Sequence, residues 1–368
     1  MIRALLEVYS DYLIISSSQT TATGLSKVLD GQTSPDKITR FLSQKDLTSK
    51  DLWKLVKPTV RQCESDDGVL VIDDSIEGKP HSKENEMICW HYDHSVSRNV
   101  KGINMVNLLY SSKGVNLPIS FEIIKKTETC IDKKTGREKR VRLVTKNEIF
   151  RNFISQATSN NIKFKYVISD SWFSSKDNMI DIKLKHQKDF VLPVKSNRTL
   201  ALSEKDKHKG AFISIKSLRL EAGSTSDVYL RGLDFPVRLI KQVFTNKDGS
   251  CGELFLVSSD MELSFDETTA IHQKRWKVEL IFKGCKSSLN ADRMTSRKPL
   301  IIQNLLLASL AGPLASAAIL QFGRDQLPQD RRLAVSFQRT AKIAALLARG
   351  FVHCFLEHTS QAVEALSR

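Results

Sequence analysis

The spacing of apolar and polar positions changes character several times along the chain. Up to about residue 62, apolar residues recur at helical intervals: Leu25, Val28 and Leu29, then Ile38, Phe41 and Leu42, then Leu52, Leu55 and Val56. This pattern predicts a small helical region. Ser34-Pro35-Asp36 reads as a helix start with proline in the first turn, which would leave Lys37 and Arg40 on an exposed face. Such a region suits a DNA-binding unit or a plain helical cap on the next domain.

From Asp67 the pattern turns to strands, at Val69 to Ile72, Ile103 to Tyr110 and Val115 to Ile123, the last two joined by Ser111-Ser112-Lys113-Gly114. Thr145 with Glu148 three residues on is a capping-box pattern that opens a helix over about 146–160. An apolar strand at Tyr166 to Ile168, a helix from near Ser174 or Ser175, and a strand at Phe190 to Val194 follow. A strand meander that gives way to alternating strands and helices predicts an α/β fold with a ribonuclease-H-like mixed sheet.

Residues 197–261 read as short strands punctuated by Gly and Asp, a β-rich insertion that includes Val237 to Val243 and Leu254 to Val257. Ser264 and Glu267 form a second capping box, whose helix should run to about Leu289. The expected organisation is a helical N-terminal region (1–62), a catalytic core in two parts (63–196 and 262–325) around the insertion (197–261), and a helical C-terminal region (326–368). The basic stretch at 125–146 reads as a solvated loop. Leu300 to Phe322 is apolar enough to raise a membrane question, but Gln303, Asn304, Pro313 and Gln321 interrupt it, so a buried helix pair bent at Gly312-Pro313 is expected.

Charge narrows the function. The 368 residues carry 56 Lys and Arg against 41 Asp and Glu, a formal charge of +15, which favours a polyanionic partner, first of all nucleic acid. The N-terminus has acidic residues within its apolar stretch and does not read as a signal peptide, and no membrane partner is expected. The six cysteines are scattered without a C-x-x-C pair, as free thiols in a reducing cytoplasm would be.

Three acids then form a candidate chemistry. Asp73 ends the strand in VLVIDDS and Asp170 ends the strand in YVISDS, where α/β sheets collect reactive groups. Taken singly, each is also the pattern of a turn or cap residue. On the helix after Ser264, Arg275, Glu279 and Lys286 fall within roughly 40° of one another with His272 close by, beside the apolar stripe of Ile271, Val278, Phe282, Cys285 and Leu289. Two aspartates and a half-buried glutamate are hard oxygen donors suited to magnesium. Two such ions activate an attacking oxygen and stabilise a leaving one in phosphoryl transfer, and Arg275 and Lys286 would meet flanking phosphates.

The run from His272 to Lys286, HQKRWKVELIFKGCK, resembles the Tyr-Arg-Glu-Lys signature of a group of bacterial insertion-sequence transposases of the DDE type, with Arg275, Glu279 and Lys286 at its last three positions. ISDSWFSS resembles the second-aspartate segment of that group, VIDDS its first-aspartate strand, and WHYDHSVSRNVKG the stretch leading into its hairpin, so that the likeness runs with gaps from about 34 to about 310. The resemblance implies that Asp73, Asp170 and Glu279 are catalytic and hold two magnesium or manganese ions. It implies a DNA transposase that cuts at the terminal inverted repeats of its element, joins the 3′-hydroxyls to target DNA, and works as a homodimer on DNA, cytoplasmic and nucleoid-associated.

Two departures stand out: His272 replaces the signature Tyr, and no Trp lies between Trp172 and Trp276. His272 would contact a phosphate or be a neutral helix residue. Asp73 and Asp74 point to opposite faces of a strand. Asp73 is taken as the ligand because Ser75 completes the Asp-x-Ser pattern frequent in the group it resembles, which leaves Asp74 in support behind it. Lys79 and Lys195 are further candidates for DNA contact. The alternatives are an inactive DNA-binding relative and a metal-dependent endonuclease of the same fold.

Overall fold

The computed structural model describes residues 2–15, 20–44, 46–94, 96–131, 133, 136, 138–245, 248–276 and 298–311. Four helices open the chain: α1 (Ile2–Ile15), α2 (Ala22–Val28), α3 (Pro35–Gln44) and α4 (Ser49–Cys63). Helix α3 begins at the expected proline and buries Ile38 and Leu42, while Lys37 and Arg40 face solvent. Thr48 and Asp51 close a capping box on α4, which buries Leu52, Leu55, Val56 and Val60.

The strands follow: β1 (Val69–Gly78), β2 (Cys89–Asp93), β3 (Arg98–Ser112), β4 (Val115–Ile123), β5 (Glu128–Ile131) and β6 (Glu138–Val141). Lys113 and Gly114 both take positive φ, 47° and 76°, which makes the two-residue turn whose twist matches the β3–β4 hairpin. The sequence at 125–146, expected to be a loop, instead forms the two-stranded β5–β6 hairpin. Its residues are mostly exposed on both faces, so no apolar alternation marked it.

Beyond it lie α5 (Lys146–Ser159), opened by the expected Thr145–Glu148 capping box, β7 (Tyr166–Ser169), α6 (Lys176–Ile180) capped by Ser175 and continued by a wide turn through Lys185, and β8 (Asp189–Val194). The chain then runs through β9 (Thr199–Ala201), α7 (Glu204–His208), β10 (Ile213–Ser214), β11 (Thr225–Leu230), β12 (Val237–Thr245), β13 (Cys251–Ser258), α8 (Phe265–Gln273) and α9 (Pro299–Ala311).

One large mixed sheet organises this order, running β10-β9-β11-β12-β13-β8-β7-β1-β3-β2, with β4 also on β3. At its centre β1, β7 and β8 are parallel. Val69 to Ile72 and Tyr166 to Ser169 are buried throughout, as continuous apolar runs in parallel strands covered on both faces should be. The β-rich segment after β8 does not build a sheet of its own: β13 pairs antiparallel with β8 and carries the same sheet outward. Nothing in the local pattern of 197–261 specifies that long-range pairing.

Helix α9 packs on α1, α3 and α4. Its buried Asn304 donates to Leu42 O (2.8 Å) and accepts from Leu47 N (3.1 Å), and Gln303 donates to Leu47 O (2.7 Å). The polar residues that interrupt this apolar segment therefore tie it to the N-terminal helices, each with the partners burial demands. Among the described residues no helix is long and apolar enough to cross a membrane. Gly312-Pro313 and the segment after it lie outside the described residues.

Candidate active site

Sheet register brings the two aspartates together. Ile72 is the last residue of β1 that pairs with β7, opposite Ser169, so Asp73 and Asp170 are the next residues on neighbouring parallel strands. The first strand does not end at Asp73, as the sequence suggested. Its antiparallel pairing with β3 continues to Gly78, and only its parallel neighbour stops. Asp73 thus stands at the point where β1 loses one partner while its pairing with β3 still supports it.

The carboxylate of Asp73 accepts the Asp74 N–H through Oδ1 (2.9 Å) and the Arg275 Nη1 through Oδ2 (3.1 Å). Asp170 caps the short turn Ser171–Phe173, its Oδ1 accepting from Trp172 N (3.1 Å) and Phe173 N (3.4 Å). It is therefore both a cap residue and a neighbour of Asp73. Burial, then repulsion from Asp170, lifts the Asp73 carboxyl from 3.8 to about 7, and Arg275 offsets only part of this. Asp170 is also raised, by burial and then by repulsion from Asp74, against two backbone N–H donors that lower it.

Asp74, one residue on, makes a different contact: Lys146 Nζ, at the start of α5, lies 2.6 Å from its Oδ2. Lys146 also sits 5.4 Å over the Trp172 ring. The helix after Ser264 forms with its capping box but tightens at Lys274, whose N–H bonds back to Ile271 O, before Arg275 and Trp276. His272 is buried with no partner for Nε2 among the described residues, and burial, then repulsion from Arg275, lowers its imidazole to about 4. Glu279 and Lys286 lie outside the described residues.

Lys195 is exposed just past β8, on the same sheet edge as Asp170, and Pro193 of β8 shares with Asp170 a cavity of about 840 Å³. Lys79, by contrast, follows the far end of β1, six residues beyond Asp73, with Nζ 3.7 Å from Glu77. At about 3.3 Å per residue that is roughly 20 Å from the aspartate pair. Sequence reasoning missed Lys146 and the exposed Trp90, Tyr92 and Trp172. Thr145 marked the helix start that aims Lys146, and the alternating CWHYD strand could have flagged the two aromatics.

Among the described residues no group of three His, Cys, Asp or Glu stands ready to hold a metal ion. The donors present nonetheless fit a hard divalent cation. Two carboxylates raised by burial and then by neighbouring aspartates are short of positive charge, and Asp170 Oδ2 has no hydrogen-bond partner among the described residues.

No curated protein matches the sequence. Two family models do: the DDE superfamily endonuclease over residues 2–210, and the transposase DDE domain over residues 126–311. They overlap on the β7 segment that carries Asp170, and the first also spans Asp73. With a large mixed sheet holding two aspartates side by side and each model covering half of the chain or more, the protein belongs to the DDE superfamily of endonucleases and transposases and is a nuclease.

Proposed function

We propose that the protein is a transposase of the group with the Tyr-Arg-Glu-Lys signature, which binds the terminal inverted repeats of its own element, cleaves there, and joins the freed 3′-hydroxyls to target DNA. In this reading Asp73, Asp170 and Glu279 hold two magnesium or manganese ions. The observation that carries it is the placement of Asp73 and Asp170 one residue beyond the parallel pair Ile72 and Ser169, with Arg275, three residues past His272, reaching back to Asp73. Parallel β1, β7 and β8 flanked by antiparallel β3 and β4 support a ribonuclease-H-like core.

The bound ions supply activation of the attacking oxygen and stabilisation of the leaving one. The chain's own residues position that chemistry. Arg275 fixes the Asp73 carboxylate, the Ser171–Phe173 turn fixes Asp170, and the strands beneath hold both. Water attacks a phosphorus at the element end, the bond to the 3′-oxygen breaks, and that oxygen leaves as a hydroxyl. The hydroxyl then attacks a target phosphate in the same site, forming a new phosphodiester as the bond to the target strand's 3′-oxygen breaks and that oxygen leaves as a hydroxyl. Residues 1–62, with the exposed Lys37 and Arg40, recognise the element end, aided by the β-rich segment 197–261. Lys195 and Lys286 contact phosphates, and the working form on DNA is a homodimer.

A donor plasmid carrying the repeats that flank the gene tests this reading. With magnesium, the protein should nick at the repeat ends and yield joined products, and Glu279→Gln should lose both activities while keeping repeat binding. Cleavage without joined products would favour the second reading, a metal-dependent endonuclease, to which the superfamily endonuclease match also points. Undiminished nicking by Glu279→Gln would remove Glu279 from the site.

A further inference from the structure

On the Asp74 side of the site lies a groove unlike the rest of the surface. A cavity of about 440 Å³ runs from β2 across the β5–β6 hairpin to Lys146 and Trp172, and joins a second of about 620 Å³ through shared walls at Trp90, Lys126 and Arg140. Three aromatic residues line it while substantially exposed: Trp90 at 50%, Tyr92 at 51% and Trp172 at 37%. Alternation along β2 buries Cys89 and His91 and turns Trp90 and Tyr92 outward, so the exposure is fixed by the strand. Large apolar rings held out in water mark a surface with a partner.

The cations have a matching arrangement. Lys126, Lys139, Arg140, Arg142 and Lys146 line the groove, with few acids among them. Burial and the neighbouring Arg142 and Lys146 lower Lys126, and burial lowers Arg142. These cations are held close together, and Lys146 among them pairs with Asp74. Inside the groove Asn104 is only 1% exposed, and its Oδ1 has no hydrogen-bond partner among the described residues. An unpaired buried acceptor is costly unless a ligand donates to it. At its inner end the groove meets the aspartates: Lys146 bonds Asp74, and the Trp172 N–H bonds Asp170.

We propose that this groove binds an unpaired DNA strand and guides it to the aspartates. The rings stack on bases, the Lys and Arg heads meet phosphates, and Asn104 accepts from a base N–H. Duplex DNA presents its phosphates outward but covers its base faces by stacking, so three exposed rings would go unused against it. A single strand offers a π-face at every base. The proposal rests on the transposase reading for its purpose, since strands separated at a cut end are what such a groove would receive, but its binding test does not depend on cleavage.

The test is fluorescence anisotropy with the full-length protein in EDTA at one fixed salt concentration, using a labelled oligothymidylate and a blunt duplex of equal length. Trp90→Ala with Tyr92→Ala should weaken oligothymidylate binding by about tenfold, with duplex binding changed by less than about twofold. Trp90→Phe should keep most of the affinity, because it keeps a stacking face. Both positions are exposed strand residues, and circular dichroism checks that the sheet persists. Unchanged oligothymidylate binding in the double variant would overturn the proposal, and so would equal loss for both probes, which would make the groove a duplex-backbone surface. If the expected binding pattern holds in a protein that never cuts or joins DNA, the groove stands and the transposase reading falls.

Discussion

Two neighbouring aspartates in one strand meet two different cations. Asp73 turns to Arg275, which follows α8, and Asp74 turns to Lys146, which opens α5. Strand alternation alone separates them. The side chains are almost equally shielded, at 13% and 18% exposed, so burial does not distinguish them. What differs is the company. Asp73 lies beside Asp170, each one residue past the last β1–β7 pair, and has its carboxyl pushed to about 7 by burial and that neighbour. Asp74 reaches the groove of exposed rings and basic residues through Lys146. Under the proposed function, one strand serves a metal-binding side with Asp73 and a DNA-holding side with Asp74.

The largest expected effect comes from breaking the first side. Asp73→Asn keeps the shape and removes a ligand, so magnesium-dependent nicking should fall by about three orders of magnitude or more. Asp74→Asn should cost about tenfold, since it releases Lys146 without touching a metal. Nicking assays on the same donor plasmid compare them, and equal losses would erase the distinction drawn here.

A pH dependence sharpens the comparison. The unfolded chain releases the Asp73 proton near 3.8, whereas the folded protein holds it to about 7. Between those values the folded state binds more protons, so in metal-free protein this group makes stability fall as pH rises from about 4 to 7 and level off above. Asp73→Asn should flatten that segment and raise the melting temperature at pH 8 in EDTA. A variant melting below the parent there would show that the Arg275 contact outweighs the burial and repulsion.

Smaller effects come from the cations. Arg275→Ala and Lys146→Ala should each weaken DNA binding by a few fold in gel shifts. Only Arg275→Ala should also lower cleavage at saturating DNA, by about tenfold, because Arg275 orients a ligand. The smallest effect is expected from Thr145→Ala, which removes the cap that holds the start of α5 and costs about 1 kcal/mol of stability. Thermal melting reads that loss.

Much of this was legible in the sequence because it is local. The apolar runs before Asp73 and Asp170, the capping boxes at Thr145 and Ser264, and the Lys113-Gly114 turn each depend on residues a few positions apart. The partner of Asp74 was hidden because Lys146 comes from 72 residues away. The β5–β6 hairpin was hidden because both its faces are wet, and the joining of β13 to β8 because backbone pairing between distant strands leaves no local mark. Tightening at Lys274 was also invisible, since a turn with i→i−3 bonding tolerates the same residues as a helix.

Manganese binding to the purified protein, measured by titration calorimetry without DNA and then with an uncleavable end duplex, tests the central claim most directly. The account predicts that Asp73→Asn and Asp170→Asn each lose high-affinity binding, while Asp74→Asn keeps it within a few fold. Unchanged manganese affinity in Asp73→Asn, or loss confined to Asp74→Asn, would contradict it.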